Sequence, residues 1–262
     1  MPDLSPGVAS AISPLVRRIV APNAGPMTGA GSNTYLVGVD EIVVVDPGPA
    51  VASHVESIVG CGGDRIRWIA VTHGHSDHAG AAAALAERTG AELVSSVEEG
   101  FGIEATEFRL DALRTPGHTS DSVCWLLEEE RMLFSGDTVI DGSSVVIAPP
   151  DGDMAAYLSS LERLTSRRLR LRTIAPGHGH LIDDPAARLA GYIAHRLQRE
   201  AAIVAALEAG AATVDQLVDA VYLDLHPTLR EAAGQTVHAH LLKLAADGRA
   251  NSADGAWHPR AA

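Results

Sequence analysis

Thiols are nearly absent from this chain: its 262 residues include 2 cysteines, Cys61 and Cys124, which lie in separate segments and in no Cys-x-x-Cys spacing. A disulfide framework and a thiolate zinc site are therefore not indicated, and both cysteines read as ordinary half-buried residues. Basic charge is also short. Lys and Arg number 20 against 33 Asp and Glu, a net charge of -13, which disfavours tight non-specific binding to nucleic-acid phosphates while leaving room for a local basic patch. No apolar run approaches the length of a membrane span, and the opening Met-Pro-Asp-Leu-Ser-Pro-Gly lacks the basic and apolar regions of a secretion signal. A cytoplasmic protein with no membrane partner is expected. What is present, 46% hydrophobic and 20% charged residues, suffices for one large domain or for a large domain with a small appendage.

The first half alternates short apolar runs with helical or turn segments. Residues 34–39 and 42–45 are rich in β-branched side chains and are separated by Gly38, Asp40 and Glu41, the pattern of a hairpin; Asp46-Pro47-Gly48 closes the second run as a turn. Helical spacing of Val51, Val55 and Ile58 follows, then a continuous strand over 68–71 and an Ala-rich helix over 80–88 ending at Gly90. Short strands are predicted to end at Thr115 and to cover 123–127 and 132–134, with Glu128, Glu129 and Glu130 in the exposed turn between the last two. A helix over 154–164 and a strand over 173–175 complete a layered α/β architecture. From Asp184 onward helix formers dominate. Asp184 as N-cap and Pro185 at the first helical position open a long helix to Gly210, with Leu189, Ile193, Leu197, Val204 and Leu207 as its apolar stripe. Helices over 213–221 and 229–246 and a short hairpin through Asp254-Gly255 resemble a winged-helix arrangement. The predicted division is a domain over residues 1–210, including the long linking helix, and a small winged-helix-like domain over 211–262.

The densest chemistry lies directly after the strand over 68–71, in Val-Thr-His73-Gly-His75-Ser-Asp77-His78-Ala-Gly. Three imidazoles and a carboxylate so close together make poor core residues, because each must be satisfied when buried. A solvated His-rich loop is the plain alternative. Alternate positions followed by adjacent ones, however, place His73 and His75 on one side and Asp77 and His78 at the mouth of the next helix, which favours a metal site. Three further candidates stand at strand ends: His118 in Thr-Pro-Gly-His-Thr, Asp137 in Ser-Gly-Asp-Thr and His178 in Pro-Gly-His-Gly. The glycines let the backbone turn sharply after each strand.

His73-x-His75-x-Asp77-His78 with His118, Asp137 and His178 resembles the metallo-β-lactamase superfamily over about residues 16–182. The resemblance implies a four-layer αββα sandwich. It also implies that His73, His75 and His118 hold one zinc, that Asp77, His78 and His178 hold a second, and that Asp137 bridges them, with Asp77, His118 and Asp137 as the catalytic residues. Nitrogen and carboxylate donors suit zinc, and manganese or iron are accepted by the same set. At a site with open positions a water's pKa falls from about 15.7 to about 7, so metal-bound hydroxide is the predicted nucleophile. An Asp at 137 resembles the glyoxalase II and ribonuclease Z branches, where antibiotic-degrading members typically carry Cys or no ligand.

Pieces without a metal role narrow the resemblance. Residues 23–28, Gly31-Ser-Asn33-Thr34-Tyr35-Leu36-Val37-Gly38, Tyr192 to Arg196 with Arg199-Glu200, and the tail from His240 through Gly248 are similar to the β-lactamase-like protein 2 group. That group implies a binuclear zinc hydrolase and, through one kind of member, cleavage of single-stranded RNA. Gly74, where relatives commonly carry a bulky aromatic, and the featureless stretch 96–107 depart from it and support hydrolysis better than RNA. The alternative enzyme is a glyoxalase II-like hydrolase of a small-molecule thioester, ester or lactone. The alternative of another class is a nucleic-acid-binding regulator with a structural metal. His180 reads equally as an orienting partner of a ligand imidazole or as a loop histidine; His195 and Arg196 read as a solvated helix face; His54, His226, His238, His240 and His258 read as structural or surface residues. Arg167, Arg168, Arg170 and Arg172 read as a solvated helix end, and Lys243 and Arg249 are too few for a DNA-binding face. Packing, homodimer formation or a substrate lid is the expected role of the C-terminal domain.

Overall fold

The computed structural model describes residues 4–94, 97–210 and 212–260. They fall into two compact units: residues up to Thr115 with Asp121–Ser144 and Ser166–Arg188, and Pro116–Ser120 with Val145–Thr165 and the chain from Leu189 onward.

The first unit contains two sheets. β1 (Ser10–Ala11), β2 (Val16–Val20), β3 (Asn33–Val37), β4 (Ile42–Val45), β5 (Ile66–Ala70) and β6 (Glu92–Val94) lie in that order in one; β7 (Gly102–Glu104), β8 (Arg109–Arg114), β9 (Val123–Leu127), β10 (Met132–Gly136) and β11 (Thr173–Pro176) form the other. Pairing is antiparallel through β4 and then parallel to β5 and β6. Helix α1 (Ala52–Gly62) makes the first parallel crossover, and α2 (Ser76–Ala79) and α3 (Ala82–Thr89) make the second. Strand alternation then sorts the side chains. Tyr35, Val37, Val43 and Val45 pack with Trp125, Leu127 and Phe134 of the second sheet, while Leu36, Ile42, Val44 and Ile69 pack with Ile58 and Leu85 on the helical side. Strands covered on both faces therefore read as continuous apolar runs.

The α/β fold class expected from the sequence is the one found. β1, β2, β6 and β7 have no counterpart among the predictions: β2 carries Arg17 and Arg18 inside an apolar run, and β6 and β7 are three residues each. The helix predicted over 80–88 begins at Ala82, preceded by the separate turn of α2.

In the second unit are α4 (Met154–Leu164), most of α5 (Pro185–Ala209), α6 (Val214–Val221), α7 (Arg230–Ala246), and the hairpin of β12 (Ala250–Ala253) and β13 (Ala256–Pro259). Asp153 caps α4 by accepting the Ala156 N–H at 2.8 Å, and Thr213 opens α6 with a reciprocal capping box to Gln216. Ile203, Leu207, Leu217, Val218, Val237, Leu241 and Trp257 form one core. The stripe on α5 differs from the expectation. Leu189, Tyr192, Arg196, Glu200, Ile203 and Leu207 are buried, at spacings of three and four, whereas Leu197 is 50% exposed. Arg196 is thus not on a solvated face: its guanidinium donates to the Val145 carbonyl and lies 5.3 Å from the Tyr157 ring centroid. Glu200 accepts from Lys243 at 3.1 Å and Arg249 at 3.4 Å. Polar pairing at these two positions lets them occupy the inward face, which apolar periodicity alone cannot reveal. His240 is fully buried, 3.5 Å from Glu200 Oε2. Among the described residues no helix is long and apolar enough to cross a membrane.

His54 on α1 shows what burial does to an imidazole in the first unit. Thr34 Oγ1 donates to the Asp46 carbonyl at 2.6 Å and so accepts from His54 Nε2 at 2.8 Å. Burial lowers the His54 pKa from 6.5 to about 4, so the neutral ring is the folded form. The unfolded chain takes up this proton first as pH falls, and the associated stability, complete above pH 6.5, is lost down to about pH 4. In urea titrations at pH 4 to 8, His54→Gln should show a pH slope of stability shallower than wild type by one proton in this window.

Candidate metal centre

The centre begins with a buried carboxylate. Asp46, at the end of β4 with a left-handed φ of 50°, accepts the Thr72 N–H and the Thr72 hydroxyl, each at 2.7 Å, and the His78 Nδ1–H at 2.8 Å. Because the Thr72 hydroxyl donates to Asp46, its lone pair is left for His73 Nδ1, 3.1 Å away. One carboxylate thus fixes His78 directly and His73 through Thr72, and in both rings Nδ1 keeps its proton while Nε2 is the atom offered to the cluster. His178 Nδ1 similarly faces the Gly31 carbonyl at 3.3 Å. Asp46 has no role in the sequence prediction, which made it the first residue of a turn. The available signal was a carboxylate closing an apolar strand, where an unpaired charge is costly.

The side chains that these anchors direct meet at the strand ends. His78 Nε2 lies 3.5 Å from Asp77 Oδ2 and 3.4 Å from Asp137 Oδ1; His178 Nε2 lies 3.3 Å and 3.5 Å from the same two oxygens. His73 Nε2 and His75 Nδ1 are 3.0 Å apart. Donors about 2.1 Å from a tetrahedral ion lie about 3.4 Å from one another, so these separations have the span of shared coordination. The donor chemistry agrees. His78 Nε2 is buried and faces the carboxylates of Asp77 and Asp137, a place that a cation shared with them would fill. Within the first unit two groups can each hold an ion: His73, His78 and Asp137, and Asp77, His78 and His178. The loop bearing His178 passes so near that a Cβ at Gly177 would stand 2.5 Å from His78 Cε1 and 2.7 Å from Asp137 Oδ1; glycine is required there.

The electrostatics are those of a dense cluster of opposite charges. Burial pushes the His178 pKa down, but hydrogen bonds to Asp137 and Asp77 more than offset it and raise the value to about 9. His78 is raised well above 6.5 against burial by the charges of Asp137 and Asp46. Burial works to raise Asp77 and Asp137, yet the two imidazoles hold both carboxyls well below the usual range.

Of the seven predicted ligands, His73, His75, Asp77, His78, Asp137 and His178 lie in the first unit. His118 lies on the 116–120 segment of the second, where its Nδ1 donates to the Val146 carbonyl at 2.8 Å and its lone pair is carried on Nε2. His180 orients none of the ligand rings; its backbone N–H donates to Asp141 at 3.3 Å. Gly74 is exposed, and a Cβ there would stand 3.2 Å from Asp121 Oδ2. Arg167, Arg168, Arg170 and Arg172 are exposed before β11, at the opposite end of that strand from His178.

Two facing sheets with a His/Asp cluster at their strand ends define a metal-dependent hydrolase of the metallo-β-lactamase kind, and this chain belongs to the metallo-beta-lactamase superfamily. The superfamily pattern matches residues 27–113 and 93–178, and the beta-lactamase associated winged helix domain matches residues 213–257. A beta-lactamase-like protein 2 homolog from Caenorhabditis elegans is 32% identical over 90% of this chain and 86% of its own length. An atrochrysone carboxyl ACP thioesterase from Cryptosporiopsis is 30% identical over 91% of this chain and 82% of its own. In fold, the chain is similar to a metallo-beta-lactamase family protein from Thermus thermophilus, with a TM-score of 0.81 at 21% identity, covering 95% and 100% of the two chains. A beta-lactamase domain protein from Burkholderia ambifaria gives 0.84 at 19% identity, covering 97% and 94%.

Asp46→Asn keeps the size of the anchor but loses its charge and the acceptor pairing with His78 and Thr72. Chelator competition on the full-length protein should show metal affinity reduced about 10–100-fold.

Proposed function

We propose that this hydrolase is binuclear and zinc-dependent, and that it cleaves a small-molecule thioester or ester. The observation that supports the binuclear reading is the number of donors gathered at the strand ends of the first unit: His73, His75, Asp77, His78, Asp137 and His178 are more than one tetrahedral ion takes. One ion is assigned to His73, His75 and His118, the other to Asp77, His78 and His178, with Asp137 between them; Asp77, His118 and Asp137 are the catalytic residues. Zinc is favoured by the all-nitrogen and carboxylate donor set. When bound, such ions supply Lewis acidity at the scissile carbonyl and a nucleophile at neutral pH. The chain's own residues set which nitrogen faces inward: Asp46 and Thr72 keep the Nδ1 protons of His78 and His73 in place, so Nε2 is the atom each ring offers, and Asp77 and Asp137 stay ionised.

The thioester reading is supported by the named activity of the Cryptosporiopsis relative at 30% identity. Nothing in a chain of net charge -13 specifically favours RNA, which enters the test as the competing substrate. The reading as a nucleic-acid-binding regulator is disfavoured by the basic side chains of the C-terminal unit, which are engaged within it: Lys243 and Arg249 by Glu200, and Arg230 by Asp219. We divide the chain functionally into a catalytic domain over 1–210 and a winged-helix domain over 211–262.

Zinc-reconstituted protein should hydrolyse members of a thioester and ester panel, and Asp77→Ala or His118→Ala should lower kcat/KM at least about 100-fold, as should removal of metal by a chelator. Turnover of fluorogenic single-stranded RNA with the carbonyl panel inert would replace the substrate assignment; full activity in both variants would remove the site assignment.

A further inference from the structure

The turn that carries His118 is built by the second unit. The Asp153 N–H donates to the Gly117 carbonyl at 2.9 Å, the Ser160 hydroxyl to the Pro116 carbonyl at 2.8 Å, and the Ser120 N–H to Asp151 at 3.1 Å. Gly117, with φ +142°, lies against α4 so closely that a Cβ there would be 2.3 Å from Tyr157 Cα. These contacts fix the backbone of the turn. The direction of the imidazole depends on a further partner, the Val146 carbonyl that accepts Nδ1–H at 2.8 Å.

Val146 lies in an irregular segment between β10 and α4, where the backbone has no ladder to set the direction of its carbonyls. Its neighbours are held from two helices. The Val145 carbonyl accepts from the Arg196 guanidinium of α5. The Ile147 N–H donates to Thr236 Oγ1 of α7 at 3.4 Å, and the Thr236 hydroxyl itself donates to the Ala232 carbonyl at 3.1 Å. Arg196 is 1% exposed and Thr236 4% exposed. A buried hydroxyl thus holds the N–H of the same peptide whose carbonyl aims His118, and a buried guanidinium holds the carbonyl of the peptide before it.

We propose that Arg196 and Thr236 are positioning residues for His118, so that the long helix and the winged-helix domain set the tautomer and direction of a metal-ligating imidazole through the backbone of 145–147. This gives the C-terminal domain a part in building the site. It rests on the assignment of His118 as a ligand made above. Thr236→Val keeps the shape and removes the acceptor. Thr236→Ser restores it. Arg196→Lys keeps the charge and loses the planar fork.

The experiment uses the full-length chain. Long-range nitrogen–proton NMR of the metal-free imidazoles, with His118 assigned by its loss in His118→Gln, is paired with zinc titration against a chelator. Wild type and Thr236→Ser should show His118 as a single Nδ1–H tautomer. Thr236→Val and Arg196→Lys should each show a tautomer mixture and bind one of two zinc ions about 10-fold more weakly, with the other within about twofold. An Nδ1–H tautomer and two unchanged affinities in either folded variant would overturn the proposal; equal weakening of both ions would do the same, since that marks general destabilisation. Arg196→Lys decides the matter should Thr236→Val not fold. If His118→Gln binds two zinc ions as wild type does, the ligand assignment fails, while the tautomer comparison still judges the positioning role.

Discussion

Asp46 is the interaction on which the metal centre depends. A carboxylate buried to 2% exposure is tolerated because both its oxygens accept hydrogen bonds, from three donors, two on Thr72 and one on His78. Those donors follow β5 and lie in α2, so one side chain at the end of β4 ties together the two parallel strands and the first turn of the crossover. It also decides which nitrogen of each ring carries the proton. Without that decision, His73 and His78 would present a mixture of tautomers, and the 3.3 to 3.5 Å donor separations seen between His78, His178, Asp77 and Asp137 would lack a common orientation of lone pairs.

The same logic recurs at each ring by different means. A carboxylate holds His78, a hydroxyl holds His73, and backbone carbonyls hold His178 and His118. His75 stands apart. It is exposed and presents Nδ1 to the His73 lone pair, which follows from its place at the N-terminus of α2, where the backbone turns away from the sheet. Within the first unit these partners come from the loop before β3, the end of β4 and the segment beyond β5.

This explains what the sequence made legible and what it hid. The predicted ligands are visible because imidazole and carboxylate recur after strand ends beside glycine, as at His73, His118, Asp137 and His178. Outer partners are hidden because carbonyls at Gly31 and Val146 have no sequence signature, and because Asp46-Pro47-Gly48 is also an ordinary turn. In the fold, strands buried on both faces announced themselves as apolar runs, whereas β2 concealed a fully buried Arg18 that periodicity reads as solvent-facing. On α5 the apolar stripe pointed to Leu197, yet the buried face runs through Arg196 and Glu200. Charged residues with partners can occupy a core face, and the partners sit 43 to 51 residues away in sequence, beyond the reach of any local pattern.

The charge state of the metal-free cluster shows why a cation belongs there. Two imidazoles are held protonated above their ordinary range, His178 to about 9 and His78 well above 6.5, by two carboxylates held ionised below theirs. Protons thus occupy the positive role that the geometry demands, on the same Nε2 atoms that face the carboxylates. Coordination requires neutral imidazole, so a divalent ion must displace those protons as it binds. Acid therefore competes with metal at this site through His78 and His178, and the carboxylates that raise the imidazole pKa values are also the oxygens that compensate by binding the ion. In both forms the carboxylates face positive charge, which is how a group of imidazoles and carboxylates can remain assembled at the sheet ends of a folded chain.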